Sequence, residues 1–204
     1  MRAAGITRAY VVLRAGKWDI PAYLGDGANF DMHLAYLLMG APLGSPYTLD
    51  QAWPFVQRAR IALGFPDILF EPIDAFVRLL AHQDATSAEV VLGLFPAECP
   101  HKSDMVEIDG QDRVRHIVIK QPSSGLRYTW MIAVWGPGFT NFMHSYLDTA
   151  IKAQAAAARE LFVGDVIQAA IDAGLTVEAE RFDTGHAIDI GTPENLKEAL
   201  RRYS

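Results

Sequence analysis

Leu63-Gly64-Phe65-Pro66-Asp67-Ile68-Leu69-Phe70 and Ala187-Ile188-Asp189-Ile190-Gly191-Thr192-Pro193-Glu194 decide how this chain is read. Each is a mostly apolar run carrying an aspartate, and each reads as a buried strand with the acid at its end. Open α/β sheets place their ligands at strand ends. Two carboxylates meeting there offer a hard-oxygen site suited to Mg²⁺ on a phosphate-bearing molecule.

Working outward from these stretches, apolar and amphipathic segments alternate. Residues 9–13 read as a strand, and residues 34–39 form a further apolar segment after the Asp26-Gly27 turn. A helix is expected over 48–63, followed by the aspartate-bearing strand over 64–70. Pro72 at a helix start, with Ile73, Phe76, Val77 and Leu80 at helical spacing, predicts an amphipathic helix to residue 83. Residues 89–96 complete a strand–helix–strand series, which predicts right-handed parallel crossovers.

The pattern then changes. Asp109-Gly110 between alternating apolar positions predicts an antiparallel hairpin over 105–120. A strand over 128–135 is closed by Gly136-Pro137-Gly138. Helices are expected over 146–162 and 165–173, the second preceded by Asp165 as an N-terminal cap and ended by Gly174. Short strands at 177–182 and 186–190 lead to a last helix opened by Thr192-Pro193-Glu194. The fold class expected is one α/β three-layer, Rossmann-like domain over residues 1–204. Its central sheet is mostly parallel, with a small antiparallel hairpin element.

Composition narrows the function. The 204 residues are 50% apolar and 21% charged, which suits one well-buried globular domain. A net charge of −6 argues against a general nucleic-acid or anionic-membrane surface. No uncharged apolar run approaches the ~20 residues that span a bilayer, and residues 1–8 lack the apolar core of a signal peptide. Cys99 is the only cysteine, so a reducing, cytoplasmic setting is expected and the thiol reads as packing rather than as a nucleophile. The six histidines show no pair at metal-ligand spacing.

The order of several motifs carries a resemblance. Tyr23-Leu24-Gly25-Asp26-Gly27, the segment Gly44 to Phe55, the Asp67 strand, Ile119-Lys120-Gln121-Pro122 and His186 to Glu194 together resemble the sugar-nucleotide pyrophosphorylases. That is the sugar-phosphate nucleotidyltransferase family, and the glucose-1-phosphate thymidylyltransferases in particular. In it a sugar 1-phosphate attacks the α-phosphate of a nucleoside triphosphate, and pyrophosphate leaves. The resemblance implies that Asp67 and Asp189 hold Mg²⁺ and that Lys120 contacts the sugar phosphate. It places Gly44 and Thr48 near the nucleotide base, and Trp130 is a candidate for lining a sugar pocket. Nucleic acid and membrane are not expected partners, and a homo-oligomer stays open.

The departures are specific. Ile119 stands where the family's Glu-Lys-Pro element has its acid, and Gln121 is inserted before Pro122. Ala41-Pro42 stands near the family's Gln-Pro pair, and Ile188 at or near an aromatic position. The family's opening strand and its Gly-x-Gly-Thr-Arg loop are not among these residues and would lie before Met1, so the first strand is expected to be missing and activity impaired. A catalytically inactive binding or regulatory module therefore stands beside the enzyme as a reading. An unrelated phosphate-handling α/β enzyme is the third.

Overall fold

The structure, a computed structural model, describes residues 1–40, 43–120, 125–153 and 160–203. Ala41-Pro42, Gln121-Pro122 and positions 154–159 of the expected 146–162 segment lie outside the described residues.

The chain opens with β1 (Arg8–Arg14), a short helix α1 (Asp19–Leu24) and β2 (His33–Met39). The two strands pair in parallel, as a sheet of their own. The single helix expected over 48–63 is instead α2 (Ser45–Asp50), α3 (Trp53–Val56) and a strand, β3 (Ile61–Leu63). Pro54 has no N–H to donate toward residue 50, so one continuous helix cannot pass through it.

Next come β4 (Ile68–Glu71), α4 (Ala75–Thr86) and β5 (Val90–Pro96). The expected strand over 64–70 shortens, which leaves Asp67 in the turn that precedes β4. Helix α4 starts three residues beyond Pro72. It buries Ala75, Phe76, Leu79 and Gln83, whereas Ile73 lies outside it and is 86% exposed. The apolar spacing was right for Phe76 and wrong for Ile73.

The hairpin forms as expected, from β6 (Asp104–Ile108) and β7 (Val114–Ile119) in antiparallel register. The Asp109 carboxylate closes its turn by accepting from the backbone N–H groups of Gln111 and Arg113, at 2.8 and 3.0 Å. Then follow β8 (Tyr128–Trp135), α5 (Pro137–Ala153), α6 (Val163–Asp172), β9 (Val177–Arg181), β10 (His186–Asp189) and α7 (Pro193–Tyr203). Helix α5 begins nine residues earlier than residue 146 because Pro137 sits at a helix start, where its missing N–H costs nothing, rather than in a loop.

The main sheet is six-stranded, in the order β7-β6-β8-β5-β9 with β3 also on β8. Within it only the β5–β9 pair is parallel; the others are antiparallel. The expectation of a mostly parallel sheet is thereby corrected. A continuous apolar run reports burial of both strand faces and says nothing of direction. Strand β8 leaves the hairpin and returns between β5 and β6, which fixes it antiparallel to both.

The three layers are visible along β5. Val90, Leu92 and Leu94 face a core shared with Phe139, Met143 and Leu147 of α5 and Val166, Ile167 and Ala170 of α6. Val91 and Phe95 face the other side, against Ala75, Phe76 and Leu79 of α4. Strands β4 and β10 form a separate antiparallel ribbon on that second side, held by Phe70 against Phe76 and Phe95 and by buried Ala187. No helix among the described residues is long and apolar enough to cross a membrane.

Candidate functional site

The β4–β10 ribbon sets the two aspartates side by side. Its register pairs Asp189 with Ile68, so Asp67, one residue earlier, lies at the same end. The Ile190 N–H donates to the Asp67 carbonyl at 2.8 Å, which ties the two turns together. The Gly191 N–H donates to Asp189 Oδ1 at 2.8 Å, and the Asn195 side chain donates to the Asp189 carbonyl at 2.7 Å. A Cβ on Gly191 would stand 2.9 Å from Asp189 Oδ1 and 3.6 Å from Asp67 Oδ2. Both carboxylates thus border one small space that only glycine leaves open.

The donor set suits a hard cation. Both aspartates are exposed, and no group of three or more His, Cys, Asp or Glu side chains with metal-holding geometry occurs among the described residues. Two protein carboxylates with the remaining positions left to phosphate and water is the usual way Mg²⁺ is held with phosphate substrates.

Lys120 belongs to a second cluster, at the end of β7. Its backbone has φ 44°, and its ammonium lies 3.9 Å from the centre of the Phe162 ring. Asp104, paired with Ile119 across the hairpin, sits beside it. Burial is the main influence that raises the Asp104 pKa above the ordinary carboxylate value; the Lys120 charge opposes it and Asp165 adds to it. The Asp165 carboxylate itself accepts from the Phe162 N–H at 2.9 Å, closing the start of α6.

Trp130 is a core residue, 7% exposed, and packs with Phe65 among the residues around α5 and α6. Its neighbour Tyr128 hydrogen-bonds Asp183, and this bond is the chief reason its phenol titrates above its ordinary value. Cys99 is exposed, contrary to the packing role expected of it, and Glu98 turns instead to His186 Nδ1 at 3.1 Å.

Gly44 and Thr48 serve the fold of their own segment. Gly44 is buried, has φ 120°, and forms an isolated bridge with Leu161; a Cβ there would meet the Leu161 carbonyl oxygen at 2.6 Å. Gly44→Ala should therefore destabilise the protein by about 1–3 kcal/mol, read as a lowered urea midpoint, because it adds both strain and a clash. An unchanged midpoint would show that the bridge contributes nothing. The Thr48 hydroxyl reaches Met39 Sδ at 2.9 Å and the Gly44 carbonyl at 3.2 Å. Thr48 also borders a cleft of about 350 Å³ with Arg14 and Lys17 at the carboxyl ends of β1 and β2.

Solved structures share this architecture. A Bacillus anthracis protein assigned as a glucose-1-phosphate thymidylyltransferase, solved with sucrose, superposes with a TM-score of 0.82 at 17% identity, over 98% of this chain and 78% of its own. The inositol-1-phosphate CTP transferase of T. maritima gives 0.77 at 19% identity, over 98% and 77%. The fold is that of the sugar-phosphate nucleotidyltransferases. In sequence, the chain is 24% identical over 202 residues to the low-salt glycan biosynthesis nucleotidyltransferase Agl11 of Haloferax volcanii. That match takes in 98% of this chain and 54% of the relative, so the chain spans about half the length of the curated relative it matches. No family model matches the sequence.

Within this nucleotidyltransferase fold, two groups went unnoticed in the sequence. Gly191 reads in the sequence only as part of a motif, and a Cβ there would crowd Asp189 Oδ1 and touch Asp67 Oδ2. Asp104 reads in the sequence as a polar residue before a strand. Only its register opposite Ile119 places it beside Lys120.

Proposed function

We propose that the chain acts in forming a nucleotide-sugar from a nucleoside triphosphate and a sugar 1-phosphate. A thymidine nucleotide and glucose 1-phosphate are the first pair to test, and a cytoplasmic setting goes with the reading. The observation that carries it is the convergence of Asp67 and Asp189 over Gly191. In the reaction a phosphate oxygen of the sugar 1-phosphate bonds to the α-phosphorus, the bond from that phosphorus to the β-phosphate bridging oxygen breaks, and pyrophosphate leaves with the electron pair. Mg²⁺, when bound, neutralises phosphate charge. Asp67 and Asp189 would hold it, Lys120 would orient the sugar phosphate as a mobile point charge, and Gly44 and Thr48 would shape the base end.

Ile119 stands where the family's Glu-Lys-Pro element has its acid, and this favours a second reading, a binding or regulatory module. Calorimetry with dTTP, hexose 1-phosphate and Mg²⁺, beside a pyrophosphate-release assay, separates the two. The enzyme reading expects Mg²⁺-dependent binding of both ligands. It also expects pyrophosphate release that disappears in Asp189→Asn. Binding without any release supports the module. Absence of Mg²⁺-dependent binding of either ligand rejects both.

A further inference from the structure

Helices α2 and α3 are too short to hold themselves. They run over six and four residues, and isolated helices below ~12–15 residues are marginal in water. Core burial does little for them either. Helix α2 buries Pro46 and Tyr47, whereas α3 buries none of its residues. Their position must come from specific contacts, and α5 supplies these.

Asn141 and His144, three residues apart, lie on one face of α5. The Trp53 indole N–H donates to Asn141 Oδ1 at 3.0 Å, and Asn141 Nδ2 donates to the Gln57 carbonyl at 3.2 Å. His144 turns toward α2, where its Nδ1 lies 3.0 and 3.1 Å from the two carboxylate oxygens of Asp50. A carboxylate only accepts, so Nδ1 carries the proton. This bond fixes the plane of the imidazole, and the Trp53 ring lies flat on it, with centroids 3.8 Å apart and planes within 6°. One imidazole therefore joins the end of α2 to the start of α3.

The consequence falls on Thr48, two residues before Asp50 and the α2 residue that borders the cleft with Arg14 and Lys17. The far end of α2 is tied by the bridge between Gly44 and Leu161. Thr48 stands between the two anchors, and its hydroxyl meets Met39 of β2 only while both hold. His144 itself does not line the cleft.

We propose that His144 is a positioning residue for the nucleotide: clamped between Asp50 and Trp53, it seats α2 so that the wall of the cleft at Thr48 is in place before the ligand arrives. This rests on the function proposed above and deepens it. When the competent state is only partly populated, apparent affinity falls in proportion, so a clip whose loss leaves α2 seated about a tenth of the time is worth about tenfold in nucleotide affinity.

The test is calorimetry with dTTP and with glucose 1-phosphate, each with Mg²⁺, on the 204-residue chain carrying Asp50→Ala, His144→Ala, both together, or His144→Asn. Each alanine variant should bind dTTP about tenfold more weakly. The double variant should be no worse than either single one, because the two side chains act as a unit. His144→Asn keeps an N–H donor near the place of Nδ1 and should recover most of the loss. Affinity for glucose 1-phosphate should stay at the wild-type level throughout, since Lys120, Asp67 and Asp189 lie on other elements. Unchanged dTTP affinity in His144→Ala overturns the idea and leaves the proposed function standing. Equal weakening of both ligands, or no recovery in His144→Asn, overturns it too, by reducing the clip to general stability. If the wild type binds glucose 1-phosphate but no dTTP, or neither ligand, the proposed function fails and the positioning role with it.

Discussion

If Asp67 and Asp189 hold Mg²⁺ as proposed, Asp189→Asn and Asp67→Asn should each weaken its binding by roughly 10²-fold, since one lost carboxylate would remove several kcal/mol from the proposed site. The double variant should be hardly worse than either single one. The two oxygens border the same small space, so they are coupled and their losses do not add. Gly191→Ala is the sharper probe, because it removes no charge. Its backbone is not in the left-handed region, so alanine meets no strain of its own. The added methyl would instead enter the space between the carboxylates, 2.9 Å from Asp189 Oδ1, and push that side chain aside. A loss of about tenfold in Mg²⁺ affinity is expected with the thermal midpoint little changed, the scale on which a ligand's immediate surroundings tune a metal site. Mn²⁺ or Mg²⁺ titration followed by calorimetry reads all four variants. Unaltered affinity in Asp67→Asn and Asp189→Asn would remove the metal from this end of the ribbon.

The elements whose signals are local were legible. The Asp109-Gly110 hairpin, the strand over 89–96 and the short strand ending at Asp189 could be read from residue type and spacing, whereas Asp67 falls in the turn before its strand. What was not legible depends on distant partners. The apolar run of β8 looks the same whichever way the strand enters, so the antiparallel sheet was invisible. Pro54 was a local signal and should have broken the helix over 48–63. Asp104 has no local signal, because its neighbours, Lys120, Trp130 and Gly164, come from three other elements. Only the hairpin register and the β6–β8 register together bring them to it. Gly191 was present in the quoted motif, but a glycine's function here is the space it does not fill, which no sequence pattern displays.

His82 shows in the sequence as one of six histidines without metal-ligand spacing, yet its replacement by leucine should be costly. From α4 it bridges two strand residues of β9, with Nδ1 at 3.0 Å from Glu180 Oε2 and Nε2 at 3.0 Å from Glu178 Oε2. Arg78, one turn earlier, bonds Glu180 at 2.9 Å through Nε and covers the Phe182 ring. Glu178 is only 9% exposed, so leucine at position 82 would strand a nearly buried carboxylate. Breaking a fully buried pair costs 3–5 kcal/mol; with the imidazole partly exposed, about 2–3 kcal/mol is expected. The cost should depend on pH. Burial is the largest single influence on His82 and lowers its pKa, but the hydrogen bonds and charges of Glu180 and Glu178 together outweigh it and raise the pKa above 6.5. A folded-state pKa above the unfolded one means that the stabilisation is complete below the unfolded value and fades as pH rises through the folded one. A neutral imidazole has a single N–H, so one carboxylate then faces a lone pair. Urea unfolding should therefore show a larger loss for His82→Leu near pH ~6 than near pH ~9, where the wild type has itself given up the charged bridge. Equal losses at the two pH values would mean that His82 holds α4 to β9 by packing alone.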